Sequence, residues 1–175
     1  MKKKLIFLIF AILLVCSICV QASAYTTSGY KWASKTIYYA IHSSVTGVNS
    51  VAYASAISDY QYNTNVTLYA SPSNTVYLNV TSESSVDWDG LMSPYGSGGY
   101  YSEVFCYLNT SYTAFYEANK RLSVAAHEVG HALGLGDLGT SSTSLMNGYT
   151  YYRYEINRVY VTQSDDRNGV NYLYP

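Results

Sequence analysis

Two histidines and a glutamate within five residues are the part of this sequence best suited to chemistry. They are His127, Glu128 and His131, in the segment His-Glu-Val-Gly-His. On an α-helix, histidines four residues apart lie on one face, about 6 Å apart along the axis, so both rings can reach one metal ion. Imidazole nitrogens are common ligands of Zn²⁺. The spacing therefore predicts half of a zinc site.

A third ligand has to come from outside this helix, because a catalytic zinc takes three protein ligands and keeps one position for water. Gly134 and Gly136 follow the histidines. Glycine adopts a positive φ at little cost, so the helix can end near Gly134 and the chain can turn back toward the ion. Asp137 then arrives as an oxygen ligand.

The rest of the helix, predicted over residues 120–134, must position these ligands. At 100° per residue, an apolar group lies roughly 140–260° away from His127. Its members are Leu122, Ala125, Ala126, Val129, Ala132 and Leu133. Glu128 lies at the edge of the opposite side, too far round to bind the same ion but able to polarise a water there. We therefore predict Glu128 as the general base.

The extended pattern His-Glu-x-x-His-x-x-Gly-x-x-Asp, followed nine residues later by Met146, resembles the metzincin metallopeptidases. Histidine is the usual third ligand in that clan, and the aspartate at position 137 resembles the snapalysin type. The resemblance implies a zinc endopeptidase in which Met146 forms a hydrophobic floor beneath the metal. It also makes Tyr149 a candidate hydrogen-bond donor to a tetrahedral intermediate.

Two further segments resemble the matrixin branch of that clan. Gly96-Ser97-Gly98-Gly99, followed by residues 100–105, is similar to a segment that leads into an antiparallel edge strand, against which the substrate pairs. Residues 161–174 resemble the closing matrixin helix. We expect Thr162 to be its N-cap and Asp165 to support the site region by packing and hydrogen bonding.

Strands and one helix are predicted in the first half of the chain. Residue types predict strands at residues 35–41, 65–69, 75–80 and 100–109, and irregular structure at residues 82–99. The spacing of apolar residues changes to that of a helix over residues 48–62, and Asn49 or Ser50 is placed to cap this predicted helix. Its inward residues are Val51, Ala54, Ile57 and Ser58.

This order of elements predicts an α+β fold. The resemblance implies a metzincin-like zinc protease domain, with a mixed twisted sheet of about five strands, two long helices and a C-terminal helix.

The first residues have the three parts of a secretory signal peptide: Lys2 to Lys4, an apolar run over residues 5–20, and Ala22-Ser23-Ala24. A retained membrane anchor is the weaker interpretation, because about sixteen residues are fewer than the ~20 needed to span a bilayer. We expect cleavage after Ala24, secretion, and no stable membrane association afterwards. Residues 1–24 would be the signal peptide and residues 25–175 one catalytic domain.

Charge and cysteine content limit the partners of the mature chain. Without Lys2 to Lys4, seven basic residues stand against eleven acidic ones, with no basic run, so nucleic acid is an unsuitable partner. Cys106 alone remains after cleavage and alternates in phase with Val104 and Leu108, which predicts burial within a strand. We expect a monomer that acts on a protein or peptide.

Other candidate ligands have less support. His42 follows the first predicted strand, and nothing in its local spacing indicates a metal site. Asp87 and Asp89 could bind calcium, although two carboxylates in a loop are more often solvated.

The sequence thus predicts a secreted zinc endopeptidase, with two alternatives. An inactive metzincin-fold adhesion or binding module is suggested by 22 tyrosines and only 12% charged residues, although an intact Glu128 argues against it. A zinc hydrolase acting on non-peptide amides or esters would need a deep closed pocket.

Overall fold

The computed structural model describes residues 25–71 and 76–175. The signal peptide predicted for residues 1–24 lies outside the described residues. Among the helices of the described ranges, none has both the length and the apolar character needed to cross a bilayer.

A five-stranded mixed sheet forms one layer of the fold. In spatial order its strands are β3 (Thr67–Ala70), β2 (Thr36–Ile41), β4 (Val76–Thr81), β6 (Tyr100–Asn109) and β5 (Gly90–Ser97). The first four are parallel, and β5 runs antiparallel to β6. A separate two-stranded sheet pairs β1 (Thr26–Thr27) with β7 (Leu135–Gly136).

Two long helices pack against the sheet, and three shorter helical segments complete the described part of the fold. They are α1 (Gly47–Asn63), α2 (Thr110–Thr113), α3 (Ala118–Ala132) and α4 (Ser164–Leu173), with a short π-helix at Tyr151–Ile156. Side chains such as Ile57 of α1, Leu78 of β4 and Val124 of α3 are buried between the layers. Burying one such side chain contributes about 1.5–3 kcal/mol. The predicted α+β fold, with two long helices and a C-terminal helix, is confirmed.

The buried face of α1 differs from the predicted one. Its buried residues are Ala52, Tyr53, Ala56, Ile57 and Tyr60, whereas Val51 is 64% exposed. Two buried tyrosines, Tyr53 and Tyr60, explain the error, because an aromatic ring contributes a large apolar area to the core. The hydroxyl of Tyr53 donates to the carbonyl of Asn79 (2.9 Å). The predicted caps, Asn49 and Ser50, lie inside the first turn, because the helix already begins at Gly47.

The edge strand of the sheet is also different from the predicted one. Residues 100–105 lie in β6, which pairs with β4 on one side and β5 on the other. The edge is β5, inside the stretch that we expected to be irregular. This strand is difficult to recognise from the sequence because it contains Gly90, Pro94 and Gly96. Proline is nevertheless tolerated on edge strands. Gly98 and Gly99 have φ values of 60° and 81°, and they form the turn between β5 and β6.

Candidate metal centre

Helix α3 and the turn after it bring the three predicted ligands together. His127 and His131 lie on α3, which ends at Ala132. Gly134 has a φ of 96°, so the chain reverses there as predicted and returns through β7 to Asp137. Gly134 also has no room for a Cβ, which would lie 2.5 Å from the carbonyl oxygen of Tyr30. A larger residue at position 134 is therefore excluded by both conformation and packing.

The ligand-type atoms of the three residues converge on one point. The Nε2 atoms of His127 and His131 are 3.0 Å apart, and Oδ1 of Asp137 lies 3.2 Å and 3.4 Å from them. Among the described residues, these three form the one group of at least three histidine, cysteine or acidic side chains that could hold a metal ion.

Hydrogen bonds on the far side of each ring determine where the imidazole protons lie. Nδ1 of His127 is 2.9 Å from the carbonyl oxygen of Leu145, and Nδ1 of His131 is 2.9 Å from that of Leu135. A carbonyl only accepts, so each Nδ1 carries the proton and donates it. Each Nε2 of a neutral ring then presents a lone pair. Two imidazole lone pairs and a carboxylate oxygen thus face one another, an arrangement that fits a cation such as Zn²⁺.

The pKa values in the metal-free protein reflect this crowding. Burial lowers the pKa of His127 to about 3, so this ring stays neutral. Burial also opposes protonation of His131, but hydrogen bonding to Asp137 and the charge of Glu128 outweigh it and raise the pKa of that ring. Contact with His127 and then with His131 holds the pKa of Asp137 well below its usual range. The raised pKa of His131 indicates that positive charge is favoured at this point of the site.

Glu128 lies beside the ligands on the floor of a cleft, and its side chain is almost completely buried. Burial raises the pKa of its carboxyl from 4.5 to about 7. Gly90, at the start of β5, lies directly over this carboxylate, because a Cβ there would overlap Oε1 of Glu128 and lie 2.6 Å from a methyl carbon of Val124. The absence of a side chain at position 90 is what leaves room for the carboxylate.

The segment of residues 141–149 around Met146, here called the Met-turn, packs beneath the helix. Met146 is buried, and a Cβ on Gly130 of α3 would lie 2.5 Å from its sulfur atom. Two backbone N–H groups of the turn, from Leu145 and Met146, donate to the carboxylate of Asp166 (2.9 Å and 3.1 Å). Met146 therefore occupies the predicted position below the ligand-bearing helix.

The acid that supports the site region is Asp166. The prediction of Asp165 for this role is wrong by one residue. Helix α4 begins one residue later than expected, with Gln163 as N-cap in place of Thr162. Asp166 then forms a capping box with Gln163 and points inward, where its carboxylate is buried. The residue that faces the site depends on where the helix begins, because each residue turns the helix by 100°.

The cleft next to the ligands has a volume of about 700 Å³. Aromatic residues form much of its wall, namely Trp88, Tyr112, Tyr116, Tyr149 and Tyr151. Tyr149 is 59% exposed, and its suggested catalytic role stays a prediction. Asp89 of the cleft accepts hydrogen bonds from the hydroxyls of Tyr116 (3.0 Å) and Thr150 (3.1 Å). Calcium binding by Asp87 and Asp89 also stays a prediction.

Arg153 is a buried cation of the cleft that was not predicted from the sequence. Its guanidinium donates to the hydroxyl of Ser123 (2.9 Å), the carbonyl of Asn147 (2.6 Å) and the hydroxyl of Thr150 (2.8 Å). It thereby links α3 to the chain that leaves the Met-turn. No sequence pattern identifies such a residue, because its partners are neutral groups from separate elements.

Cys106 and His42 were not predicted to bind the metal, and both lie outside the group of three ligands. Cys106 is fully buried on the inner face of β6, with its sulfur 3.5 Å from the carbonyl oxygen of Glu128. His42 is exposed and forms a hydrogen bond with Ser44 through Nδ1 (2.8 Å).

Two protein-family models match this chain. The model described as Matrixin matches residues 108–175, and the model described as Astacin, also a peptidase family, matches residues 24–137, which is more than half of the chain. A search of curated proteins found no match. With the α+β fold, these matches show that the chain belongs to the metzincin-type zinc metallopeptidases. Proteins of these families hydrolyse peptide bonds and bind zinc.

Proposed function

We propose that this chain is a secreted zinc-dependent endopeptidase in which His127, His131 and Asp137 hold the metal and Glu128 is the general base. The observation that carries the proposal is the convergence of two imidazole lone pairs and one carboxylate oxygen within 3.4 Å of one another. Three acceptor atoms without a proton between them repel one another, and a divalent cation would remove that repulsion.

Zinc at this position would supply a Lewis acid that polarises a peptide carbonyl and lowers the pKa of water toward 7. Glu128 would accept a proton from the attacking water and then deliver it to the leaving nitrogen. Its place beside the three ligands, on the floor of the cleft, suits both roles. No serine or cysteine nucleophile is required, and the buried Cys106 has no part in the reaction.

The substrate in this proposal is an extended peptide that pairs with the edge of β5. This strand pairs with β6 on one side only, among the residues that the structure describes. Main-chain hydrogen bonds along such an edge bind a peptide with little dependence on its side chains. The edge begins at Gly90, over Glu128, so a peptide paired with β5 would pass the proposed base.

The proposal that the protein is secreted is based on the sequence pattern of residues 1–24. The proposal that it is a monomer is also based on the sequence. We keep calcium at Asp87 and Asp89 as a secondary proposal. Asp89 already accepts two hydroxyl hydrogen bonds, which compete with a metal for its oxygens.

Metal removal and restoration test the proposed function. The purified protein is incubated with casein before and after treatment with a chelator, and again after addition of zinc. We expect cleavage that stops on chelation and returns with about one equivalent of zinc, as one three-ligand site requires. The variant His131→Ala should lose both zinc and activity, whereas His42→Ala, which changes an exposed histidine outside the site, should keep both.

A protein that binds one zinc and cleaves no protein offered would favour the adhesion or binding module instead. A protein that binds no zinc would show that the ligand assignment is wrong.

A further inference from the structure

The loop that delivers Asp137 is held on one side by the segment around β1. Within this antiparallel pair, Thr26 is opposite Gly136 and Thr27 is opposite Leu135. The backbone N–H of Ser28 extends the pairing by donating to the carbonyl of Gly134 (2.9 Å). The residues just before Asp137 are thus fixed to a strand that lies more than 100 residues away in sequence.

The opposite side of the same loop is held by the Met-turn. The backbone N–H of Leu138 donates to the carbonyl of Met146 (2.7 Å), and the N–H of Gly148 donates to the carbonyl of Leu138 (3.0 Å). Asp137 therefore lies in the middle of three adjacent backbone segments. Only one of the two outer segments, the Met-turn, belongs to the recognised motif.

The side chain of Thr26 adds a contact to Asp137 itself. Its hydroxyl donates to the main-chain carbonyl of Asp137 (3.0 Å). The two strands also approach closely here, because a Cβ on Gly136 would lie 2.9 Å from the hydroxyl oxygen of Thr26. Gly136 does not have a positive φ, so its need for glycine comes from this close approach and not from backbone conformation.

Asp137 depends on such support because its own side chain is weakly held. The side chain is 61% exposed, and among the described residues the ionisable groups in contact with its carboxylate are the two histidine rings. On the other side, a Cβ on Gly148 would lie 2.9 Å from Oδ1 of Asp137. Backbone contacts, and not side-chain packing, therefore determine where this carboxylate points.

We propose that Thr26 is a positioning residue for Asp137, and that the strand β1 thereby sets the affinity of the site for zinc. The proposal rests on the proposed function, because it takes Asp137 as a metal ligand. A carboxylate that is already in place loses little conformational freedom when the ion binds, so the affinity is higher. Residues that orient metal ligands typically change metal affinity 10- to 100-fold when they are replaced.

Zinc affinity, measured by competition with a chromophoric chelator, tests this proposal. Thr26→Val removes the hydroxyl and keeps the shape, and we expect zinc to bind about 10-fold more weakly. Thr26→Ser keeps a hydroxyl and should restore affinity close to the wild-type value. Thr27→Val is the matched control, since it changes an exposed neighbour on the same strand that lacks such a contact with Asp137. Asp137→Ala should weaken binding much more than any of them.

Thermal unfolding of the metal-free proteins separates positioning from loss of stability. We expect Thr26→Val and Thr27→Val to unfold at the same temperature as the wild type without zinc. If Asp137→Ala binds zinc more weakly and Thr26→Val binds it as tightly as the wild type, the inference about Thr26 is wrong and the proposed function still stands. Equal losses in the two threonine variants would also overturn it. Unchanged affinity in Asp137→Ala would instead show that the proposed ligand set is wrong.

Discussion

The carboxylate of Asp166 lies 3.1 Å from the backbone nitrogen of Met146 and accepts its hydrogen bond. The same carboxylate accepts bonds from the backbone nitrogens of Leu145 (2.9 Å) and Gln163 (2.7 Å). One buried acid thus joins the start of α4 to the turn beneath the ligand-bearing helix. The carbonyl of Leu145 accepts the hydrogen bond from Nδ1 of His127, so Asp166 supports the orientation of that ring by way of Leu145.

Replacement of Asp166 should therefore destabilise the fold. Asp166→Asn loses the charge and leaves buried N–H groups facing an amide, which costs about 2–3 kcal/mol. Asp165→Asn is the matched control, and it should cost no more than about 0.3–1 kcal/mol through the helix dipole. Urea unfolding of the metal-free proteins measures both changes. Equal stability of the two variants would contradict the role given to Asp166.

Gly90 provides a second prediction, because its Cα lies against the carboxylate of Glu128. In Gly90→Ala the new methyl group should push this carboxylate out of place. A misplacement of about 1 Å can reduce the rate about 10²-fold, so we expect a loss of that order in kcat with zinc content unchanged.

Gly139→Ala is the control for this substitution. Gly139 has no atom within 4 Å of its added Cβ and no positive φ, so this variant should keep wild-type activity. Equal activity of Gly90→Ala and Gly139→Ala would show that the position of Glu128 does not depend on Gly90.

The raised pKa of Glu128 predicts how the stability of the metal-free protein changes with pH. The folded protein holds the proton up to about pH 7, whereas the unfolded chain releases it near pH 4.5. The contribution of Glu128 is therefore fully present below pH 4.5 and is lost as the pH rises through 7. A shift of this size corresponds to at most about 3 kcal/mol.

Glu128→Gln removes this titration and keeps the shape of the side chain. In urea unfolding with chelator present, the variant should gain stability relative to wild type by about 1–3 kcal/mol between pH 5 and pH 8. His127 acts in the opposite direction, since its pKa is lowered and its contribution disappears as the pH falls, but it is present in both proteins. A stability difference that does not vary with pH would contradict the raised pKa.

Local patterns in the sequence were sufficient to predict the ligand-bearing helix. The positions of His127 and His131 follow from helical periodicity, and the reversal at Gly134 follows from the freedom of glycine. The burial of Cys106 followed from strand alternation in the same way. Each of these features depends on residues that are close in sequence.

Features that depend on distant residues were not predictable. The role of Gly90 depends on its contact with a helix almost forty residues later, and the role of Arg153 depends on neutral partners in separate elements. The choice between Asp165 and Asp166 depended on the first residue of α4, and element boundaries are the least certain part of such predictions. Strand β5 was missed because Pro94 and its glycines conceal the alternation of an edge strand.

The most direct test of the central claim is the rate of casein cleavage by Glu128→Gln and by wild type at equal zinc content. We predict that both proteins hold about one zinc per chain and that the variant is about 10²–10⁴ times slower, because it cannot accept the proton. A variant that binds zinc and cleaves casein as fast as wild type would contradict the assignment of Glu128 as the general base.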